Sequence, residues 1–361
     1  MRLIMAGGGT GGHLFPGLAV AREFQRRDKM AEILFVGTEA GIESRVLPRE
    51  GFSLETIPIR GLKGRGIRGL IEAIYGVPIS FFRSLRIISR FRPECIIGLG
   101  GYASGPFLIA GRVKGIRCAV MEQNLRPGLT NRILGWVADR VFTAYEESGS
   151  YFSRTKVIET GNPVRWQHLP EVRKAEKFTL FVFGGSAGAH KINLCVIEAL
   201  KRLRDLAVGL EVIHQTGEAD LPSTKAVYGT LPFEAEVLPF VERMDEVYAR
   251  ADLVICRAGA TTVAELTAFG KAAILVPYPY AAYDHQRWNA QALKEAGAAE
   301  VILDQELSGE KLAGQIRALF LDRERLEAMG KAARRLGRPE AASRIVDECY
   351  KLLETEIRLH A

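Results

Sequence analysis

The sequence predicts an α/β protein of two doubly wound domains, each a parallel sheet covered by helices on both faces. Three observations lead there. Short apolar runs alternate with amphipathic helical patterns along all 361 residues, and strand–helix alternation produces parallel sheets. A strand, a glycine-rich turn and a helix follow one another twice. The first turn is Gly7-Gly8-Gly9-Thr10-Gly11-Gly12-His13, and the second is Gly184-Gly185-Ser186-Ala187-Gly188-Ala189. Between the halves, beyond Gly161-Asn162-Pro163, lies a polar stretch over 166–177 that carries Pro170, as a linker does.

The first half offers strands at 3–6, 33–36, 96–99, 119–121 and 140–143. The second offers them at 178–183, 210–215, 236–239, 253–256, 273–276 and 300–303. Leu14, Leu18, Ala21 and Phe24 share one helical face, as do Leu194, Ile197, Leu200 and Leu203. Pro339 opens a final helix with Ala342, Ile345, Val346, Cys349, Leu352 and Leu353 on its apolar side. These patterns divide the chain into 1–160, 161–338 and a last helix within 339–361.

Composition narrows the class. A hydrophobic content of 47% and a mean hydropathy of +0.03 belong to a folded chain, not a disordered one. The formal charge of +7 favours anionic partners: nucleic acid, nucleotide substrates or an acidic membrane surface. No recognised nucleic-acid-binding module accompanies it. Five cysteines without a CxxC pair read as buried thiols in a reducing cytosol. Neither a cleavable leader nor a spanning apolar run is visible, so a cytoplasmic protein is expected.

Ligands of open parallel sheets bind beyond the carboxyl ends of the strands, and the chemically informative residues lie there. Gly100-Gly101-Tyr102-Ala103-Ser104-Gly105-Pro106 forms a third glycine turn, and Glu122-Gln123-Asn124 closes another strand. Residues 257–265 and 283–289 follow two more. Glycines admit close backbone approach and the helix that follows presents a positive end, a combination that binds phosphate.

Each motif also has a plainer reading. Gly7-x-Gly9-x-x-Gly12 matches the dinucleotide fingerprint, yet its acidic partner is missing: Val36 runs into Gly37-Thr38, with only Glu39 nearby. Residues 184–188 match a hydrolase nucleophile elbow, but their strand opens its half, where an elbow needs strands before it. Thr262-x-x-Glu265 fits a helix capping box. His13 is a turn residue or, kept neutral by the helix's positive end, a base. No metal-ligand spacing occurs, so a diphosphate here is expected to be neutralised by helix N-termini and by arginines such as Arg165 or Arg257.

The stretch 60–92 carries Arg60, Lys63, Arg65, Arg68, Arg83, Arg86, Arg90 and Arg92 against one acid, Glu72, with Ile79, Phe81 and Phe82 interleaved. It is a core helix with a solvated basic face, a surface that touches anionic lipid or, with no recognised module to support it, a nucleic-acid contact.

Taken together, these motifs resemble a known family. Gly8-Gly9-Thr10-Gly11-Gly12-His13-x-x-Pro16-Gly17, the 100–106 turn, Glu122-Gln123-Asn124, Gly161-Asn162-Pro163-Val164-Arg165 and the 184–189 turn occur in order. Arg257-x-Gly259-Ala260-x-Thr262-Val263-x-Glu265 and Gln286-x-x-Asn289-Ala290 follow. The chain is similar to the MurG family of N-acetylglucosaminyltransferases over nearly its whole length.

That resemblance implies a GT-B fold, two Rossmann-like domains facing a cleft with the last helix crossing back to the first. It implies inverting transfer of N-acetylglucosamine from its UDP ester to the 4-hydroxyl of the muramyl sugar of undecaprenyl-diphospho-muramyl-pentapeptide, with no cofactor; the enzyme is expected to be metal-independent or only weakly metal-dependent. By the same resemblance His13 is the base, and Gly9, Thr10, His13, Tyr102, Ser104 and Gly105 lie at the acceptor diphosphate. The donor falls to Ser186 at the diphosphate, the Val241 backbone at the uracil and Glu265 at the ribose, with Gln286 and Asn289 on the sugar. Thr10, Gly11, Gly12, Asn124 and Arg165 are also assigned to the donor, as are Ala260, Thr261, Thr262, Val263 and Ala264. The 60–92 stretch is then a membrane contact, placing the protein peripherally on the cytoplasmic face of the bacterial inner membrane. Two positions depart from the family pattern: Met121 stands where a His is common, and Ala187 where a Gln is.

Overall fold

The computed structural model describes residues 1–39, 41–59, 66–166 and 176–360. The chain divides into two compact units, Met1–Arg165 with Arg338–Ala361, and Trp166–Gly337. Residues 60–65 and 167–175, which include Arg60, Lys63, Arg65 and Pro170, lie outside the described residues, as do the side chains over 66–75.

The first unit holds seven parallel strands: β1 (Arg2–Gly7), β2 (Glu32–Gly37), β3 (Ser53–Thr56), β4 (Cys95–Gly100), β5 (Arg117–Glu122), β6 (Arg140–Thr143) and β7 (Val157–Glu159). Their order is β3-β2-β1-β4-β5-β6-β7. The strand order therefore reverses between β1 and β4, which makes their carboxyl ends the switch point where a ligand crevice forms. The edge strands β3 and β7 were not expected. Their sequences, SLET and VIE, are short and half-buried and lack the apolar run that marks the inner strands.

The second unit repeats the plan with β8 (Phe178–Phe183), β9 (Leu210–Gln215), β10 (Glu234–Leu238), β11 (Leu253–Cys256), β12 (Ala272–Leu275) and β13 (Ala299–Val301). The order is β10-β9-β8-β11-β12-β13, again parallel throughout. Its switch point lies between β8 and β11.

Both central strands feed two cores because alternate side chains point to opposite faces. In β1, Leu3 and Met5 pack with Leu14, Leu18, Phe24, Ile345 and Val346, while Ile4 and Ala6 pack with Ile87, Ile88, Phe107 and Leu108. In β8, Leu180 and Val182 join Ile192, Val196 and Leu200, while Phe181 and Phe183 join Tyr248, Leu266 and Phe269. Each buried Leu, Ile, Val, Met or Phe side chain among them contributes about 1.5–3 kcal/mol. All five cysteines are buried and free.

The last helix, Ala341–His360, returns to the first unit and packs on the helix Gly11–Arg27. Arg27 fastens the pair through Asp347 and the Ser343 hydroxyl, and Phe24 meets Tyr350 at 5.8 Å. Among the described residues no helix is long and apolar enough to cross a membrane.

Candidate functional site

In the first unit two glycine turns meet backbone to backbone at the switch point. The Gly8 amide donates to the Gly100 carbonyl at 3.2 Å. A Cβ on Gly7 would stand 2.3 Å from the Gly100 oxygen, and one on Gly101 2.6 Å from the Gly8 oxygen. The contact therefore demands glycine on both sides. Gly100, with φ +98°, also lies against His13, whose ring a Cβ there would meet at 2.8 Å.

His13 sits in the first turn of the helix Gly11–Arg27, with the exposed Thr10 at the N-cap position and its side chain making no capping hydrogen bond. Its Nδ1 lies 3.1 Å from Gln123 Oε1, and Gln123 Nε2 donates to the Leu99 carbonyl at 2.9 Å. With its NH₂ committed to Leu99, the buried amide turns its acceptor toward the ring. Nδ1 then carries the proton and Nε2 the lone pair, the tautomer a base needs.

Glu43 was not singled out from the sequence. Its buried carboxylate accepts from the Gly9 amide at 2.8 Å, the Thr38 amide at 2.8 Å and the Thr38 hydroxyl at 3.1 Å. Gly9 thus directs its N–H inward. Ser104 is fully buried, its hydroxyl engaged with the Ala6 carbonyl at 2.7 Å and the Gly100 backbone. Tyr102 is exposed, and the space where a Gly105 Cβ would stand is open.

Glu122 organises the next loop. Oε1 accepts from the Asn124 amide at 2.9 Å and from its Nδ2 at 3.2 Å, and Oε2 from the Gly128 amide at 3.1 Å and Asn131 Nδ2 at 2.9 Å. Burial pushes its carboxyl up, against the pull of those hydrogen bonds. Met121 is a core residue here. The Arg165 guanidinium stacks 4.4 Å over the Phe15 ring.

In the second unit the 184–189 turn runs from β8 to the helix His190–Arg202, with Ser186 and Ala187 exposed. A Cβ on Gly188 would stand 1.9 Å from the Thr216 oxygen, and one on Gly217 2.2 Å from the Ala187 oxygen. Gln215 bridges from this turn to Val241, whose amide donates to Gln215 Oε1 at 3.1 Å. Phe240 beside it is exposed.

The helix Ala260–Phe269 starts at Gly259, which places Thr262 inside its first turn. The capping-box reading of Thr262 and Glu265 therefore fails. Thr261, Thr262 and Ala264 are partly exposed around this N-terminus, while Ala260 and Val263 are buried. Glu265 is 4% exposed and accepts from the Tyr248 hydroxyl at 3.1 Å. Gln286 Oε1 accepts from the Ala258 and Tyr278 amides at 3.2 and 2.9 Å, and the buried Asn289 donates to the Ala258 carbonyl at 3.2 Å. Arg257 is tied to Asp304 at 2.6 Å and to two backbone carbonyls, and it shares that carboxylate with Lys191 at 3.2 Å. Tyr283 and Asp284, at φ +55° and +56°, hold left-handed backbone just before the helix His285–Glu295. Such strain costs about 1–3 kcal/mol per residue and gathers at ligand clamps.

Each unit therefore offers glycine-lined helix N-termini at a switch point, the first beside an imidazole and the second beside a buried carboxylate. Comparison with known proteins adds to this. Residues 3–143 match the glycosyltransferase family 28 N-terminal domain and residues 179–345 its C-terminal domain. A UDP-N-acetylglucosamine–N-acetylmuramyl-(pentapeptide) pyrophosphoryl-undecaprenol N-acetylglucosamine transferase of Myxococcus xanthus is 49% identical, across 98% of this chain and 93% of that one. The protein of the same description from Geobacter sulfurreducens is 51% identical, across 96% of this chain and 98% of that one. The crystal structure of Acinetobacter baumannii MurG superposes with a TM-score of 0.80 at 32% identity, covering 97% of this chain and 99% of that one.

Proposed function

The chain belongs to glycosyltransferase family 28, and from that premise we propose that it transfers N-acetylglucosamine from UDP-N-acetylglucosamine to the muramyl sugar of undecaprenyl-diphospho-muramyl-pentapeptide. This is the lipid I to lipid II step of peptidoglycan synthesis. The observation that carries the reading is the likeness of both units, at about half identity, to relatives described by that reaction.

The chemistry assigns each unit a substrate. In the first, the acceptor diphosphate lies at the helix N-termini of Thr10 to Gly12 and of Ser104 and Gly105, with Tyr102 beside it. His13 Nε2 accepts the proton of the muramyl 4-hydroxyl as that oxygen attacks C1 of the donor sugar. The C1–oxygen bond to the β-phosphate breaks on the opposite face, so the configuration inverts and UDP leaves with the electron pair. A base and an anion site of this kind each contribute through charge that develops only in the transition state. In the second unit, the turn at Ser186 and the helix N-terminus at 260–264 take the diphosphate, and Glu265 the ribose hydroxyls. The protein backbone at Val241 meets the uracil through its carbonyl side, since the Val241 amide is held by Gln215.

The lipid tail of the acceptor gives the basic helix a role. On Gly66–Phe91, Ile79 and Phe82 are 56% and 69% exposed beside Arg83 and Arg86. That helix packs on Ser104–Val113, which packs on Leu129–Val137, and these expose Val113, Ile133 and Trp136. Apolar groups beside arginines suit an anionic leaflet.

The test is UDP release from UDP-N-acetylglucosamine with and without the lipid-linked muramyl acceptor, in EDTA. Release that depends on the acceptor and survives chelation is expected. Release without acceptor at the same rate, or stabilisation against heat by NAD and not by UDP, overturns the reading.

A further inference from the structure

Gln215, the last residue of β9, joins the two loops assigned above to opposite ends of the donor nucleotide. Its side chain is 2% exposed. Nε2 donates to the Gly185 carbonyl at 2.8 Å, and Oε1 accepts from the Val241 amide at 3.1 Å. The backbone beyond it is held just as closely. The Thr216 amide donates to the Leu238 carbonyl at 2.9 Å and the Gly217 amide to the Pro239 carbonyl at 3.1 Å. Asn193 Nδ2 grips the Thr216 carbonyl at 2.9 Å from the other side.

We propose that Gln215 is a positioning residue that sets the span between the diphosphate-facing turn and the uracil-facing backbone, so that UDP meets both at once. The inference rests on the donor site described under the proposed function. An amide is the side chain that suits this place: one end donates to a carbonyl while the other accepts from an N–H. A glutamate here would set a carboxylate oxygen against the Gly185 carbonyl, and a leucine would engage neither loop. A ligand that reaches one loop alone is indifferent to the span. A ligand that bridges both gains from having it set before binding.

The experiment measures the full-length protein and its Gln215→Leu and Gln215→Glu variants. UDP is titrated by calorimetry, and uridine by ligand-observed NMR, with a thermal melt as the check on folding. UDP affinity should fall roughly tenfold in the Leu variant, the worth of two lost hydrogen bonds, and by a smaller factor of about three in the Glu variant, which loses one, with uridine changed less than about twofold. The Glu variant keeps the Val241 bond and so serves if the Leu variant fails to fold. Unchanged UDP affinity overturns the inference alone, and so does uridine affinity that falls in step with UDP. A wild-type protein that does not bind UDP overturns the donor reading as well.

Discussion

The Gly9 amide donates to the Glu43 carboxylate at 2.8 Å, so the first glycine turn is braced from within by a buried anion. A Cβ on Gly8, Gly37 or Gly41 would approach Glu43 to between 2.1 and 2.8 Å. Three glycines thus make room for one carboxylate. An acceptor diphosphate would meet this turn from Thr10 onward, with Gly9 fixing its shape. Glu43→Ala should remove the acceptor of the Gly9 and Thr38 amides, which are partly open to water, at about 0.5–1.5 kcal/mol for each hydrogen bond. Glu43→Gln keeps one acceptor oxygen but faces an NH₂ toward the other donor, and should cost nearly as much. Urea unfolding of both variants checks this; wild-type stability in both refutes it.

His13→Ala should lower turnover by roughly 10²–10⁴-fold, the range for a positioned base, while UDP affinity in calorimetry stays within about twofold. Gln123→Leu, which releases the imidazole from its fixed tautomer, should lower kcat by a smaller factor and leave the donor KM in place. Unchanged kcat in the His13 variant removes it as the base.

His214 gives the second unit an acid limit. Burial brings its pKa down from 6.5 to about 4, against a weaker opposing pull from Asp220. Nε2 faces Asn193 Oδ1 at 3.1 Å and Nδ1 the Tyr228 hydroxyl at 3.0 Å, an arrangement the neutral ring fills. Between about pH 4 and 6.5 the folded chain binds fewer protons than the unfolded one. This contribution is intact above that window and is lost as the pH falls through it, by roughly 3 kcal/mol. Denaturant melts of wild type and His214→Gln should diverge across this range, with the variant less sensitive to acid. Parallel pH profiles would contradict it.

The membrane surface is tested by reversing charge. Arg83→Glu with Arg86→Glu should weaken co-sedimentation with anionic vesicles by at least about 30-fold, at about 1 kcal/mol per basic residue lost. Trp136→Ser should weaken it without changing its salt dependence. Neutral vesicles provide the control, and undiminished binding of the charge-reversed protein returns the helix to a solvated face.

Much of this architecture is legible in the residues. β1, β4, β8 and β11 are buried on both faces for nearly their whole length, so each appears as a largely apolar run ending in the residues of a candidate site. The edge strands β3 and β7 escape notice because only part of each is buried and polar side chains interrupt the pattern. The capping-box reading of Thr262 and Glu265 fails because the N-cap is Gly259, one turn earlier than the motif places it. The partners that hold the site are harder to see. Glu43 lies 34 positions from Gly9, and Gln123 lies 110 from His13; no local periodicity encodes such pairings. Gln215 stands at the end of an apolar strand and resembles an ordinary cap until its two loops are folded around it.

The return of the Ala341–His360 helix to the first unit carries a consequence for biosynthesis. The segment Trp166–Gly337 is an insertion between two parts of one folding body, and the closing helix is translated only after the whole insertion. The second unit is contiguous, and all of it is translated before that helix. The first unit, begun earlier, must wait with Leu14, Leu18 and Phe24 short of their partners Ile345, Val346 and Tyr350. The half made first is the half finished last, and during that interval its bare helix is where a chaperone would be needed.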